Sequence, residues 1–368
     1  MLLEPVVQEF IRLAEIDSPP RQERALADYL LARCAELGVQ LSEDDAGKEI
    51  GGNAGNLYGF LPGDEREPLL LCAHMDTVRS NHGLKVVIED GKLCSQGRRH
   101  ILGADDKVGI AAILEVLRRC QESRHAHPPI EVLFTIAEET GLLGAKSVDI
   151  TRLHSKHGLV LDAGGRVGTV VKRSPVHYEF LIKVHGRAAH AGNSPEAGIN
   201  AIQIAAQIVG AIKLGRIDEY TTANIGKITG GAAINIVPDY AELTGEVRSH
   251  RPERATEYLE SLSAVAKRIA AEYGGRGEVE ATQSFPAMQL DEGSRIAVAT
   301  RDAAAKIGLR YELVTKGGGS DANILNSRGL TCANLGIGCY LEHSNEEYVA
   351  VADLEKLVEY LMAICEVW

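Results

Sequence analysis

The sequence predicts an α/β fold divided by an inserted α+β unit, and three observations carry that reading. Up to about residue 175, apolar runs of strand length alternate with segments of helical periodicity. From 176 the order becomes strand, helix, strand, strand, helix, strand. After 287 the alternation of strand and helix resumes. One discontinuous domain is therefore expected over 1–175 and 287–368, and a second over 176–286.

In the first segment, apolar spacing predicts helices over 4–15 and 20–38 and strands over 55–61, 67–73, 130–136 and 158–163. Strands separated by helices favour a parallel sheet. The run DDKVGIAAILEVLRRC opens with two aspartates and then carries an apolar residue every three or four positions. A helix should occupy about 104–120, with Asp105 and Asp106 on the loop entering it, where acidic side chains cap free N–H groups. The insert reads as strand 177–186, helix 197–213, strands 221–230 and 239–248, helix 252–273 and strand 276–284. That is the ferredoxin-like βαββαβ order, which closes a small sheet of its own with both helices on one face. Helix 291–307, strand 310–315, helix 320–328, strand 330–336 and a final helix over 351–366 then complete the first domain's sheet.

Composition narrows the function. With 368 residues, 45% of them hydrophobic, the chain can build two cored domains. A formal net charge of -12 and the lack of any long Lys/Arg run exclude a phosphate-tracking surface, so no nucleic-acid partner is expected. Seven cysteines, an odd number spread far apart in apolar or helical stretches, read as reduced buried thiols. MLLEPVVQEFIRLAEIDS has acids at helical spacing and no basic leader, so it reads as an amphipathic helix and not as an export signal. No run of eighteen apolar residues occurs, and a cytosolic protein without membrane partners is expected.

The chemistry is carried by five short segments. His74 in CAHMDTV, Asp105 in GADDK, Glu138 and Glu139 in IAEET, Asp162 in VLDAGG and His343 in LEHSNEE all lie outside the insert. Several directly follow apolar runs that read as strands, and open α/β sheets bind ligands beyond the carboxyl ends of their strands. Imidazole and carboxylate together suit zinc, manganese or cobalt, and carboxylates also bridge two such ions in hydrolases. Asp76, two residues along the same extended segment as His74, faces the same way and is suited to hold the imidazole's second N–H. Adjacent Glu138 and Glu139 cannot both bind one ion comfortably. One of them can therefore ligate while the other stays free to take a proton from the attacking water, the general-base role read for Glu138. In GGGSDAN, glycines before a helix start offer backbone N–H groups, making Gly318, Gly319 and Ser320 candidates for holding a substrate carboxylate or main chain.

Taken in order, HMDTV, GADDK, the Glu-Glu pair followed by Gly, a later Asp and a late His resemble the M20 metallopeptidases, most of all their peptidase T-like members. The likeness extends through HGRAAHAG, GGAAINIVPD and GEVRS of the insert and covers nearly the whole chain. It implies a zinc-peptidase-like α/β catalytic domain whose inserted lid mediates a homodimer. It also implies two divalent ions, usually zinc, with Asp105 bridging, His74 and Asp162 completing one ion, and Glu139 and His343 the other. A cis bond between Asp105 and Asp106 is a further implication. By the same resemblance His190 reaches toward the partner's reacting carbonyl, and Asn235 and Arg248 hold the substrate, Arg248 being suited to a bidentate grip on a carboxylate. The activity so implied is an exopeptidase of short peptides, an aminopeptidase of tripeptidase type. M20 carboxypeptidases, dipeptidases and N-acyl amino acid amidohydrolases share the metal chemistry, and a non-catalytic peptide-binding protein could share the fold.

Overall fold

The computed structural model describes residues 4–122 and 126–368. The chain divides into two compact units: Met1–Arg173 with Met288–Lys316 and Ser320–Trp368, and Ser174–Ala287 with Gly317–Gly319.

The first unit is built on a nine-stranded sheet among the described residues. Its order is Leu41–Glu43, Leu57–Leu61, Ile130–Thr135, Leu69–His74, His157–Ala163, Thr331–Gly336, Thr169–Ser174 and Met288–Gln289, with Glu312–Thr315 also pairing Thr169–Ser174. The four central strands run parallel. Leu57–Leu61 and Thr169–Ser174 pair antiparallel with their central neighbours, so the sheet is mixed where the sequence favoured a parallel one. Both faces are covered, which explains the uninterrupted apolar run LLLCAH. Leu69, Leu71 and Ala73 pack with the helices Pro5–Ala14, Arg24–Glu36, Ala104–Glu122, Arg295–Lys306 and Val351–Val367. Leu70 and Cys72 point the other way, against Ala322 and Leu325 of the helix Asp321–Ser327. Residues 1–3 of the expected N-terminal helix lie outside the described residues; Pro5–Ala14 forms the rest, burying Val6, Val7, Phe10 and Leu13.

A second, four-stranded sheet escaped the sequence reading. Val86–Glu89, Lys92–Ser95, Tyr348–Ala350 and Cys339–Tyr340 pair antiparallel in that spatial order. Strands of two to four residues are too short to show a period. This sheet fixes the ends of the loop that carries His343.

In the inserted unit the sheet order is Gly215–Arg216, Thr221–Gly230, Tyr240–Ser249, Val176–His185 and Arg276–Phe285, all antiparallel. Apart from the two-residue edge strand this is the ferredoxin-like arrangement. Phe180, Ile182 and Val184 alternate along one strand into a core that also takes Ile204 and Ile208 of Ala201–Ala211 and Leu262 and Ile269 of Pro252–Glu272. All seven cysteines are buried and free. No helix among the described residues is long and apolar enough to cross a membrane.

Candidate metal centre

His74 is the last residue of its strand, and Asp162 lies near the end of the neighbouring parallel strand His157–Ala163. Asp105 sits at the start of Ala104–Glu122, where Asp105 and Asp106 depart from helical geometry and are joined by a cis bond. Glu138 and Glu139 follow Ile130–Thr135 in a tight turn, and His343 lies between two short strands with a positive φ of 64°. The ends of central strands thus carry His74, Asp162 and the Glu138–Glu139 turn, while a helix start brings Asp105 and a loop of the small sheet brings His343.

The five expected ligands form two triads that share a member. His74, Asp105 and Asp162 bring ligand atoms within 4.8 Å of one another, and so do Asp105, Glu139 and His343. Asp105 is divided between them, with Oδ1 3.1 Å from His74 Nε2 and Oδ2 3.3 Å from His343 Nε2. His74 Nε2 is also 3.7 Å from Asp162 Oδ1, and His343 Nε2 is 3.1 Å from Glu139 Oε1. Among the described residues Glu139 Oε1 has no hydrogen bond despite that approach, so the two atoms converge without the alignment of a donor and an acceptor.

The supporting shell is denser than the motifs indicate. Asp106 is buried; its Oδ2 accepts the backbone N–H of His74 at 3.1 Å and its Oδ1 that of Gly109 at 3.1 Å. Gly109 must lack a side chain, because a Cβ there would lie 2.4 Å from Asp106 Oδ1 and 2.6 Å from the Leu161 carbonyl. Glu347 accepts the N–H groups of Gly103 at 2.8 Å and Asp105 at 3.2 Å. Asp76 Oδ1 stands 3.4 Å from His74 Nδ1, too loosely for a well-formed hydrogen bond. Its firm contacts are to the turn: Oδ1 accepts the N–H of Glu138 at 2.9 Å and Oδ2 that of Glu139 at 3.1 Å. Ala137, one residue earlier, is held left-handed at a φ of 48°, a conformation costing a non-glycine residue roughly 1–2 kcal/mol.

Electrostatics mark the cluster as anion-rich. Burial and Asp162 hold the Glu138 carboxyl well above its ordinary pKa, and burial with Asp105 pushes Asp162 up to about 8 against the pull of His74. Burial opposes charge on His74, but Asp105, Asp162 and Asp76 outweigh it and raise its pKa well above the usual imidazole value. The carboxylates of Asp105 and Glu139 bring His343 to about 10. Burial resists ionisation of Asp105, yet the two histidines keep it below the usual carboxylate range. Two acids that sequence reasoning missed also border the site. Glu23 is fully buried and raised to about 7 by burial and by Asp76. Asp321, bonded to the Thr135 hydroxyl, is raised to about 6, mainly by burial. Asp321 stands in the GGGSDAN segment, whose reading rests only on its glycines and serine, and Glu23, between Gln22 and Arg24, carries no local signal at all.

The remaining candidates fall in other segments of the chain. Ser320 caps Asp321–Ser327, its N–H donating to Asn323 Oδ1 at 3.1 Å and its hydroxyl accepting from Asn334 Nδ2 at 2.9 Å, so its polar groups are engaged within the chain. Gly318 and Gly319 belong to the inserted unit. There, Gly319 approaches Phe285 so closely that a Cβ would lie 2.5 Å from the ring. In the same unit Arg248 spends its Nε and Nη2 edge on Glu246, at 3.2 and 3.1 Å, and its Nη1 on the Gly317 carbonyl at 3.1 Å. Exposed Asn235 accepts the Ala191 N–H through its backbone carbonyl at 3.0 Å. His190 Nδ1 accepts the N–H groups of Gly192 and Asn193, both at 3.1 Å, which assigns the hydrogen of the neutral ring to Nε2.

Relatives of this chain are found among known peptidases. Residues 177–274 match the peptidase dimerisation domain of the M20 peptidases, and residues 56–164, which span all the candidate groups before the insert, match peptidase family M28. The structure superposes with a TM-score of 0.91 on aminopeptidase PepT from Bacillus cereus, at 37% identity over 99% of this chain and 98% of that one. A tripeptidase from Staphylococcus aureus gives a TM-score of 0.94 at 36% identity, covering 99% and 97% of the two chains. A Bacillus subtilis relative described as uncharacterized protein YqjE is 38% identical over 362 residues, 98% of this chain and 97% of its own length. The chain belongs to the M20 family of metallopeptidases and is a peptide-bond hydrolase. Within that family it falls in the peptidase T-like branch.

Proposed function

We propose that the protein is an aminopeptidase of short peptides, of tripeptidase type, working with two divalent ions in the cytoplasm. The observation that carries the two-ion reading is the sharing of Asp105 between two ligand triads, and the likeness to an aminopeptidase and a tripeptidase supports the specificity. One ion would be held by His74, Asp105 and Asp162, and the other by Asp105, Glu139 and His343. The donor set fits: buried carboxylates crowd two imidazoles, and Glu139 Oε1 is shielded from water without a hydrogen-bond partner. Zinc suits these ligands best, and cobalt or manganese would also be accepted. When bound, such a pair polarises a scissile carbonyl and lowers the pKa of a water molecule.

The chain's own residues supply the proton chemistry. Glu138, largely buried and outside both triads, takes the proton of the attacking water and returns it to the departing amine. Asp76 fixes that turn by accepting the N–H groups of Glu138 and Glu139. His190, with its free Nε2–H, is the donor we assign to the developing oxyanion. Ser320, whose polar groups are taken up by Asn323 and Asn334, keeps only the role of capping its helix, and Asn235, Gly318 and Gly319 are assigned to the substrate's main chain and terminal carboxylate. Arg248 shares that role, and a substrate carboxylate would compete with Glu246 for its guanidinium.

A homodimer through the inserted unit is part of the proposal. Ile228, Ile234 and Ile236 are 55%, 104% and 41% exposed there, and the unit matches a dimerisation domain. A second copy of the chain is the partner that would cover them.

The test is a panel of di- and tripeptides offered to zinc-loaded enzyme in free, N-blocked and C-amidated forms beside N-acetyl amino acids, with released amine followed by mass spectrometry. Cleavage that demands a free N-terminus is expected. Cleavage of blocked or acylated substrates that demands a free C-terminus would instead identify a carboxypeptidase or acylase. In Glu138→Gln, zinc content should persist while hydrolysis is lost; surviving turnover would remove Glu138 from the mechanism.

A further inference from the structure

We propose that Glu23 is a positioning residue for the Glu138–Glu139 turn, acting through the backbone of Ala137. This inference rests on the reading of Glu138 as base and Glu139 as ligand, and extends it to a residue more than a hundred positions away.

Three successive backbone N–H groups of the turn end on carboxylates. Ala137 donates to Glu23 Oε1 at 3.0 Å, Glu138 to Asp76 Oδ1 at 2.9 Å and Glu139 to Asp76 Oδ2 at 3.1 Å. The N–H before them, of Ile136, goes to Asn56 Oδ1 at 3.2 Å. Glu23 and Asp76 are both 0% exposed, so neither carboxylate is there for solvation. Buried acids without a counter-charge are costly, and they persist where fixed N–H donors need them.

Glu23 itself is held from both sides. It stands at the N-terminal end of Arg24–Glu36, and its Oε1 also accepts the N–H of Arg21 at 2.8 Å. It therefore ties the chain entering that helix to the turn after Ile130–Thr135. The bond falls on Ala137, whose left-handed backbone decides the direction in which the next two side chains leave. Asn56 and Asp76 hold the neighbouring N–H groups and Leu143 the Ala137 carbonyl, so loss of the Glu23 acceptor loosens the turn at a residue whose positive φ is already costly. Glu138 and Glu139 would then share a wider range of orientations, and both proton transfer and the second triad would suffer. The second oxygen of Glu23 is buried and has no hydrogen-bond partner among the described residues.

The experiment compares Glu23→Ala, Glu23→Gln and Glu138→Gln in the full chain. Zinc binding is measured by calorimetry, tripeptide hydrolysis by initial rates, and folding by circular dichroism, with all assays run well below each variant's melting temperature. Glu23→Ala should lower kcat about 10- to 100-fold with KM changed far less, and should weaken one of the two zinc sites by a similar factor, as losses of groups that orient ligands do. Glu23→Gln keeps an acceptor oxygen for Ala137 and should recover most of both losses. If Glu23→Ala lowers only the melting temperature, with kcat and both zinc affinities intact, the residue serves the fold and the proposal is wrong. Equal damage from Ala and Gln would also overturn it, because the acceptor would then not be what matters. Full activity in Glu138→Gln would overturn the reading of the base, and the calorimetric comparison would still decide whether Glu23 positions Glu139.

Discussion

Asp76 Oδ1 lies 2.9 Å from the backbone nitrogen of Glu138, so the carboxylate that follows one central strand holds the turn that follows its parallel neighbour. The residue expected to steady the imidazole of His74 therefore has a second task with shorter contacts. Asp76→Ala should lower kcat about 10- to 100-fold, in line with the loss of other groups that orient ligands. Asp76→Asn keeps one acceptor but turns an amide toward the other N–H, and should fall between. Steady-state kinetics with zinc content measured in parallel checks this; an alanine variant of undiminished kcat would leave the turn to Glu23 alone.

Stoichiometry should follow the two triads. His343→Ala removes a ligand that only one triad uses, and one zinc per chain is the expected content after dialysis. Asp105→Ala removes the shared ligand and should lose both ions. Plasma emission spectrometry of the dialysed variants reads this directly, and two retained ions in Asp105→Ala would end the bridging assignment. In the unaltered protein, zinc at 100 times the dissociation constant of a site should add about 2.7 kcal/mol of stability for each site over the chelated form.

The chelated protein should grow less stable as pH rises through neutrality. Burial and Asp105 raise Asp162 to about 8, whereas a carboxylate in an unfolded chain titrates near ~3.9. The folded state then binds the proton more tightly, so this contribution is fully present below about pH 4 and is lost as pH climbs through 8. Melting temperatures of chelated protein between pH 5 and 8.5 should fall, and Asp162→Asn should fall less. A flat profile in the chelated parent would contradict the raised value.

Gly109→Ala tests the packing beneath the site. The new methyl would meet Asp106 Oδ1 and the Leu161 carbonyl, both well inside contact distance. Overpacking of this kind costs typically about 1–3 kcal/mol. Because Asp106 also holds the His74 N–H, zinc affinity should drop with stability. Denaturant titration and calorimetry would separate the two effects, and unchanged affinity would mean that Asp106 yields without moving His74.

Association can be tested at the fully exposed Ile234. Ile234→Asp places a charge on the surface we assign to the second copy, and sedimentation should show a monomer where the parent is a dimer. A parent that sediments as a monomer at micromolar concentration would remove the partner from the proposal.

Much of this was legible before any coordinates, for physical reasons that differ by element. The βαββαβ insert announced itself because its long strands are buried on one face and alternate, as Phe180, Ile182 and Val184 do. LLLCAH was readable as a fully covered strand for the opposite reason, since both its faces are buried. Short strands such as Cys339–Tyr340 carry no periodic signal, and the small sheet that fixes the ends of the His343 loop went unread. The metal-binding residue types stand in compact motifs, whereas Glu23 and Asp321 gain their meaning from neighbours far away in sequence. Ser320 illustrates the converse: a glycine-rich turn suggested free donors, but Asn323 and Asn334 already occupy its polar groups.

The discontinuity of the first unit sets a timetable for biosynthesis. His74, Asp105 and Asp162 all leave the ribosome before the insert is made, so a nascent chain could capture one ion early. His343 emerges only after the insert has been translated, and its loop must travel back to a sheet whose other members were synthesised long before. Such late, long-range closure is slow compared with local folding. The second triad would therefore be completed only after the insert has been made, whereas the groups of the first are all in hand before it.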